Sequence, residues 1–152
     1  MRKSITIFIL PLLIIACSAL TGEEIARLSI NKLSSENNLI IKEATLDLKK
    51  GDEIAIWSDM DYSYEGDSSL LFKIEILKDG VSLESFVIDP TDKNITINEV
   101  TTSVFNKTNS SFSGKNSEIE IEEDGTYTFK GFLFTEYNSN LEINKAEIVL
   151  KR

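Results

Sequence analysis

Histidine is absent from the 152-residue chain, and cysteine occurs once, at position 17. Without imidazole the chain lacks the usual general base near neutral pH, a common metal ligand, and the base of any Ser-His or Cys-His nucleophile pair. A single thiol excludes an internal disulfide, so packing alone must hold the fold. Basic residues are also few: 16 Lys and Arg stand against 25 Asp and Glu, a formal charge of −9. With no basic stripe and a surface that repels phosphate backbones, nucleic acid is not an expected partner. Long hydrophobic runs are missing too. The run from Ile5 to Ala16, interrupted by Thr6 and Pro11, falls short of the roughly 20 residues that a spanning helix needs. What remains for chemistry is carboxylates, lysines, tyrosines and hydroxyls, which points to binding or structure. No enzyme activity is expected, no catalytic residue is nominated and no cofactor is implied.

Hydrophobic residues at 41% and charged residues at 27% are ordinary values for a folded chain of this length, with one core. Arg2 and Lys3, the short apolar run and the small Ala16 are the parts of a secretory signal peptide. The stretch Ile14-Ile15-Ala16-Cys17 resembles the lipobox of bacterial lipoproteins. That resemblance implies a diacylglycerol, with chains such as palmitate, on the sulfur of Cys17, and cleavage just before it. Residues 1–16 are then a lipoprotein signal peptide, 17–24 a lipidated tether and 25–152 a single domain. Removal of the first 16 residues takes away Arg2 and Lys3, leaving 136 residues with a formal charge of −11. Each buried methylene contributes about 0.8 kcal/mol, so two or three acyl chains anchor a protein durably where one binds reversibly. The expected location is the bacterial cell envelope. Ser18 implies the outer membrane if the host is Gram-negative. The competing reading is an ordinary signal peptide in which the cysteine is incidental.

Beyond the tether the pattern is β throughout. Gly22 to Ser35 fits a strand or a short helical face, with strand preferred. In "NNLIIKEATLDL" the apolar phase changes at Lys42 and Glu43, which suggests a bulge or bend. "KKGDEIAIWS" predicts a turn and a central strand, apolar on both faces. "LLFKIEILKDGVSLESFVID" predicts a hairpin on Asp79-Gly80, ended by Pro90, and "SEIEIEEDGTYTFKGFLF" predicts a second on Asp124-Gly125. "KNITINEV" reads as a short strand, "FNKTNSSFSGKNS" as a polar loop, and "NLEINKAEIVLKR" as a terminal strand. Eight or nine strands with turn signals about every 8 to 12 residues predict an all-β, antiparallel two-sheet sandwich or jelly roll. "LDLKKGDEIAIW" and "EEDGTYTFKGF" are similar to strand signatures of GOLD-like and pre-peptidase C-terminal sandwich domains, a likeness that identifies no function.

The segment "SDMDYSYEGDSS" reads as a loop rich in carboxylates. Trp57, Asp59, Asp61, Tyr62, Tyr64, Glu65 and Asp67 are its candidate ligand-binding residues: rings to stack on a sugar and carboxylates to accept from its hydroxyls. Asp59, Asp61, Glu65 and Asp67 are alternative calcium ligands, because Ca²⁺ takes six to eight oxygens from a flexible loop. The spacing is not that of an EF-hand. The plainer alternatives are a solvated loop and a core tryptophan, since Trp57 alternates with Ile54 and Ile56. Glycoside hydrolysis would need two carboxylates across a cleft, and no second wall of a cleft is evident. The leading expectation is a non-enzymatic envelope lipoprotein, held at the membrane by Cys17 and acting as a structural or protein-interaction module. The alternative is a glycan- or calcium-binding module. Expected partners are the membrane and an envelope protein or glycan.

Overall fold

The computed structural model describes residues 21–137 and 140–152; the Ile14–Cys17 motif, Ser18 and the leader lie outside them. Among the described residues, nine strands form two antiparallel sheets that pack as a sandwich. The strands are β1 (Glu24–Ser29), β2 (Lys42–Leu48), β3 (Glu53–Glu65), β4 (Leu70–Lys78), β5 (Val81–Ile88), β6 (Ile95–Val104), β7 (Lys107–Glu120), β8 (Gly125–Thr135) and β9 (Glu142–Lys151). One sheet runs β1-β9-β3-β7-β6 and the other β2-β8-β4-β5. Alternating side chains point to opposite faces of a strand, so Ile54, Ile56, Met60, Ile148 and Leu150 of the first sheet meet Phe72, Ile74, Ile76, Phe129 and Leu133 of the second. All are buried.

The Asp79-Gly80 hairpin is present as expected. Both turn residues have positive φ, 50° and 82°, which a type I′ turn requires and which Gly tolerates without strain. Pro90 follows the end of β5. β8 is internal to its sheet, β3 is central in the other, and β9 is inserted between β1 and β3.

Four expectations need correction. Asp124-Gly125 does not close a hairpin: β7 and β8 lie in different sheets, so the chain crosses the sandwich there. The Asp124 carboxylate instead accepts from the backbone N–H of Lys50 at 2.9 Å. The polar stretch from Phe105 to Ser117 is no loop but a tight turn followed by most of β7, and β6 is longer than read, reaching Val104. In β7 the inward positions Ser110, Phe112 and Gly114 alternate properly, but two of them are small. The stem of Lys93 fills the space over Gly114, and its ammonium lies 4.4 Å from the Phe112 ring centre. The carboxylate-rich segment is likewise strand, since β3 continues to Glu65 and only Gly66–Ser69 connect it to β4. At Lys42 the change of phase marks the start of β2, with Leu39 and Ile41 exposed ahead of it.

Of the four register shifts in the first sheet, two flank the middle of β3. One on β9 leaves Asn144 outside the pairing, between Lys145 opposite Asp61 and Ile143 opposite Tyr62. The other, on β7, leaves Asn116 unpaired, between Ser117 opposite Ile56 and Lys115 opposite Trp57. The Asn116 side chain accepts from the buried Ser58 hydroxyl at 2.6 Å and donates to the carbonyls of Asp89 and Asp92 at 3.2 and 2.6 Å. It thereby clasps the connection that carries the chain from β5 to β6.

Candidate functional site

Because β3 is a strand, its alternation separates the candidate residues. Trp57, Asp59 and Asp61 lie on the outer face of the first sheet, whereas Tyr62 and Tyr64 share the inner face with Met60. Glu65 ends the strand, and Asp67 sits exposed in the connection to β4.

Asp59 belongs to an ion-pair network, centred on Arg27, that spans three strands. Arg27 of β1 reaches over β9 to donate to Asp59 Oδ2 at 3.0 Å, and Lys145 of β9 approaches Asp59 Oδ1 at 3.2 Å. Arg27 also pairs with Glu24 at 2.7 Å and with Glu147, and the Ser29 hydroxyl donates to Glu147 at 2.7 Å. Three carboxylates around one guanidinium favour its charged form, with the Glu24 hydrogen bond the largest cause, so the Arg27 pKa is raised further. Hydrogen bonding from Arg27 in turn holds the Glu24 carboxyl below its ordinary range.

Asp61 and Glu65 have separate partners. Asp61 accepts from the side-chain amide of bulged Asn144 at 3.3 Å, and Glu65 from that of Asn140 at 3.1 Å. Tyr62 and Tyr64 stack with ring centres 5.8 Å apart, and burial pushes the Tyr62 hydroxyl pKa up. Among the described residues, no three His, Cys, Asp or Glu side chains gather closely enough to hold a metal ion.

Trp57 is 1% exposed, although it lies on the outer face. It stands between Val149 of β9 and Lys115 of β7, and the Lys151 ammonium caps its ring at 4.1 Å from the ring centre. Its indole N–H is buried without a hydrogen-bond acceptor. Beside it opens a cavity of about 410 Å³, lined among others by Gly22, Asp52, Lys115, Glu118, Lys151 and Arg152. Arg152 pairs with Asp52 at 3.0 Å, and Lys115 with Glu118. Burial lowers the Lys151 pKa.

The edges of the sandwich carry exposed apolar side chains outside the carboxylate-rich segment. Seven of the ten large hydrophobic side chains exposed among the described residues lie on β5, β6 or the turn that follows β6: Val81, Leu83, Val87, Ile95, Val100, Val104 and Phe105. The signal was present in the β-branched run "ITINEVTTSV", but the expected strand stopped at Val100, short of its last four residues. Also among the described residues, no helix is long and apolar enough to cross a membrane. No protein-family model matches the chain, and no curated protein is significantly similar to it.

Proposed function

We propose that this protein is a non-enzymatic cell-envelope lipoprotein: an acidic β-sandwich tethered to a membrane through lipidated Cys17, and working as a structural or protein-interaction module. The observation that carries this reading is the order of basic residues, short apolar run and Ile14-Ile15-Ala16-Cys17 at the head of the chain. Two features of the fold support it. β1 begins at Glu24 and Glu23 is already hydrogen-bonded to Arg152, so few residues separate the sandwich from Cys17 and the domain would ride close to the bilayer. The carboxylates Asp59, Asp61 and Glu65 are engaged by Arg27, Lys145, Asn144 and Asn140, as structural carboxylates are. Mass spectrometry of the mature protein purified from membranes tests the anchor: a diacylglyceryl mass on an N-terminal Cys17 is expected, and a free Cys17 thiol overturns it.

A second reading, a small-ligand module, is favoured by the cavity beside Trp57 and its unpaired indole N–H. A polar ligand able to accept that hydrogen bond would satisfy a group that is costly to bury alone. A glycan array together with calcium calorimetry separates the two readings, because silence in both leaves the interaction module.

A further inference from the structure

A sheet edge offers unpaired N–H and C=O groups to any strand that approaches, and folded proteins blunt their edges with charges, bulges or short strands. The four edges of this sandwich differ in that respect. β1 carries Glu24 and Arg27 and an irregular register after Glu24; β2 carries Lys42, Glu43 and Asp47; β5 carries Glu84. β6 has its irregularity and its single charge, Glu99, within its first half, and Glu99 is paired with Lys93 at 2.9 Å. Past that point Val100-Thr101-Thr102-Ser103-Val104 is uncharged, regularly paired to β7 and exposed at every residue. Val100 is 62% and Val104 55% exposed.

The register states which groups are free. Val104 and Lys107 close a two-residue turn, so they form a hydrogen-bonded pair, as do Thr102 with Asn109 and Val100 with Ser111. Thr101 and Ser103 therefore point their main-chain N–H and C=O away from β7, toward the open side. The side chains of Val100, Thr102 and Val104 share the outer face, opposite buried Ser110 and Phe112.

We propose that this edge binds a second copy of the chain, β6 against β6 in antiparallel register about Thr102. An isologous contact requires that residue i meet j while j meets i, and the stretch suits this: Val100 faces Val104, Thr101 faces Ser103, and Thr102 faces itself. The two outward residues of each copy exchange main-chain hydrogen bonds, and two valine pairs form on the outer face. Charge also selects this edge. Two copies each at −9 repel, and the uncharged half of β6 brings no carboxylate against another. Phe105, fully exposed at φ 56°, comes to lie beside the partner's β6 bulge. This pairing goes beyond the anchor reading and does not depend on it.

The test is oxidative crosslinking of the full chain in whichever fraction it is found, with the unsubstituted protein scored in parallel for Cys17. At the two-fold axis, Thr102 would face its copy in a non-hydrogen-bonded pair whose Cα separation of about 4.5 Å falls within the range a disulfide spans. Thr102→Cys is expected to give a dimer as the main product, while Ser85→Cys on the β5 edge and the unsubstituted chain stay monomeric. Adding Val100→Glu and Val104→Glu to Thr102→Cys should abolish the dimer with circular dichroism unchanged. Equal crosslinking of Thr102→Cys and Ser85→Cys, no crosslink at Thr102→Cys, a dimer that survives the glutamates, or a crosslink to a different protein would each overturn the proposal. A thiol left free at Cys17 removes the anchor reading without touching this one.

Discussion

The Arg27 guanidinium lies 3.0 Å from the Asp59 carboxylate although an entire strand, β9, separates their own strands. The contact ties β1 to the middle of the sheet over the top of its neighbour. Arg27→Ala leaves Glu24, Asp59 and Glu147 facing one another with Lys145 as the nearby cation. Because the network is partly exposed, the expected loss is about 1 kcal/mol at low ionic strength. Urea titrations at rising NaCl should show that loss shrinking, as salt weakens the attraction in the parent and the repulsion in the variant. Asp59→Asn, which leaves Arg27 two carboxylates, should lose less.

Gly131 sits on the inner face of β8, where an added Cβ would stand 2.9 Å from Ile148 Cδ1, 3.2 Å from Ile30 Cδ1 and 3.3 Å from Leu28 Cδ2. These three are among the most buried side chains of the core. Gly131→Ala overpacks the gap between the sheets, with an expected destabilisation of about 1–3 kcal/mol. Denaturant unfolding reads it directly, as a lowered midpoint with an unchanged slope.

Asn116→Ala removes the acceptor of the Ser58 hydroxyl, which is 1% exposed, and releases the carbonyls of Asp89 and Asp92. The stranded hydroxyl alone costs about 1–3 kcal/mol. Asn116→Asp should be no better, because a carboxylate cannot donate to those carbonyls. Amide hydrogen exchange should quicken across residues 89–95, where the chain passes between sheets.

Acid should unfold the protein gradually. Hydrogen bonds from Arg27, Lys107 and Lys78 hold Glu24, Glu142 and Glu123 below the ordinary glutamate pKa of 4.5. A backbone N–H from Lys49 lowers Asp52 from its ordinary 3.8. The unfolded chain takes up these protons first. The stabilisation is therefore complete above the ordinary carboxyl range and is lost as pH falls through the folded values, from about pH 5 downward. With histidine absent, thermal melts should stay level between about pH 6 and 8. Glu24→Gln should flatten the acid limb.

The fold class was legible because strand periodicity is local: each of β2, β3, β4, β5, β8 and β9 shows its alternation within its own residues. The same dipeptide then led to one correct and one mistaken connection. Asp79-Gly80 joins neighbours in a sheet and Asp124-Gly125 joins different sheets, yet both are flanked by alternating runs, and alternation does not say which sheet a strand enters. The first ten residues of β7, Lys107 to Asn116, read as loop because Ser, Asn and Gly fill positions where its neighbours supply the bulk, as Lys93 does over Gly114. For Asp59, the residue type was visible but not its surroundings: Arg27 and Lys145 are 32 and 86 positions away in the chain. No short window shows that a carboxylate read as a free ligand is already engaged by cations.

The placement of β9 between β1 and β3 sets an order of events for a chain made from its N-terminus. β1 is complete at Ser29, yet β9, the strand it pairs with, begins at Glu142. Until that stretch arrives, β1 lacks the strand it pairs with and β3 keeps one edge unsatisfied, its outer Trp57 without the Val149 and Lys151 that later cover it. The larger sheet thus closes as a zipper drawn last. A nascent or partly threaded chain stays open along that seam, where premature contacts are most damaging and a protecting chaperone would have most to hold.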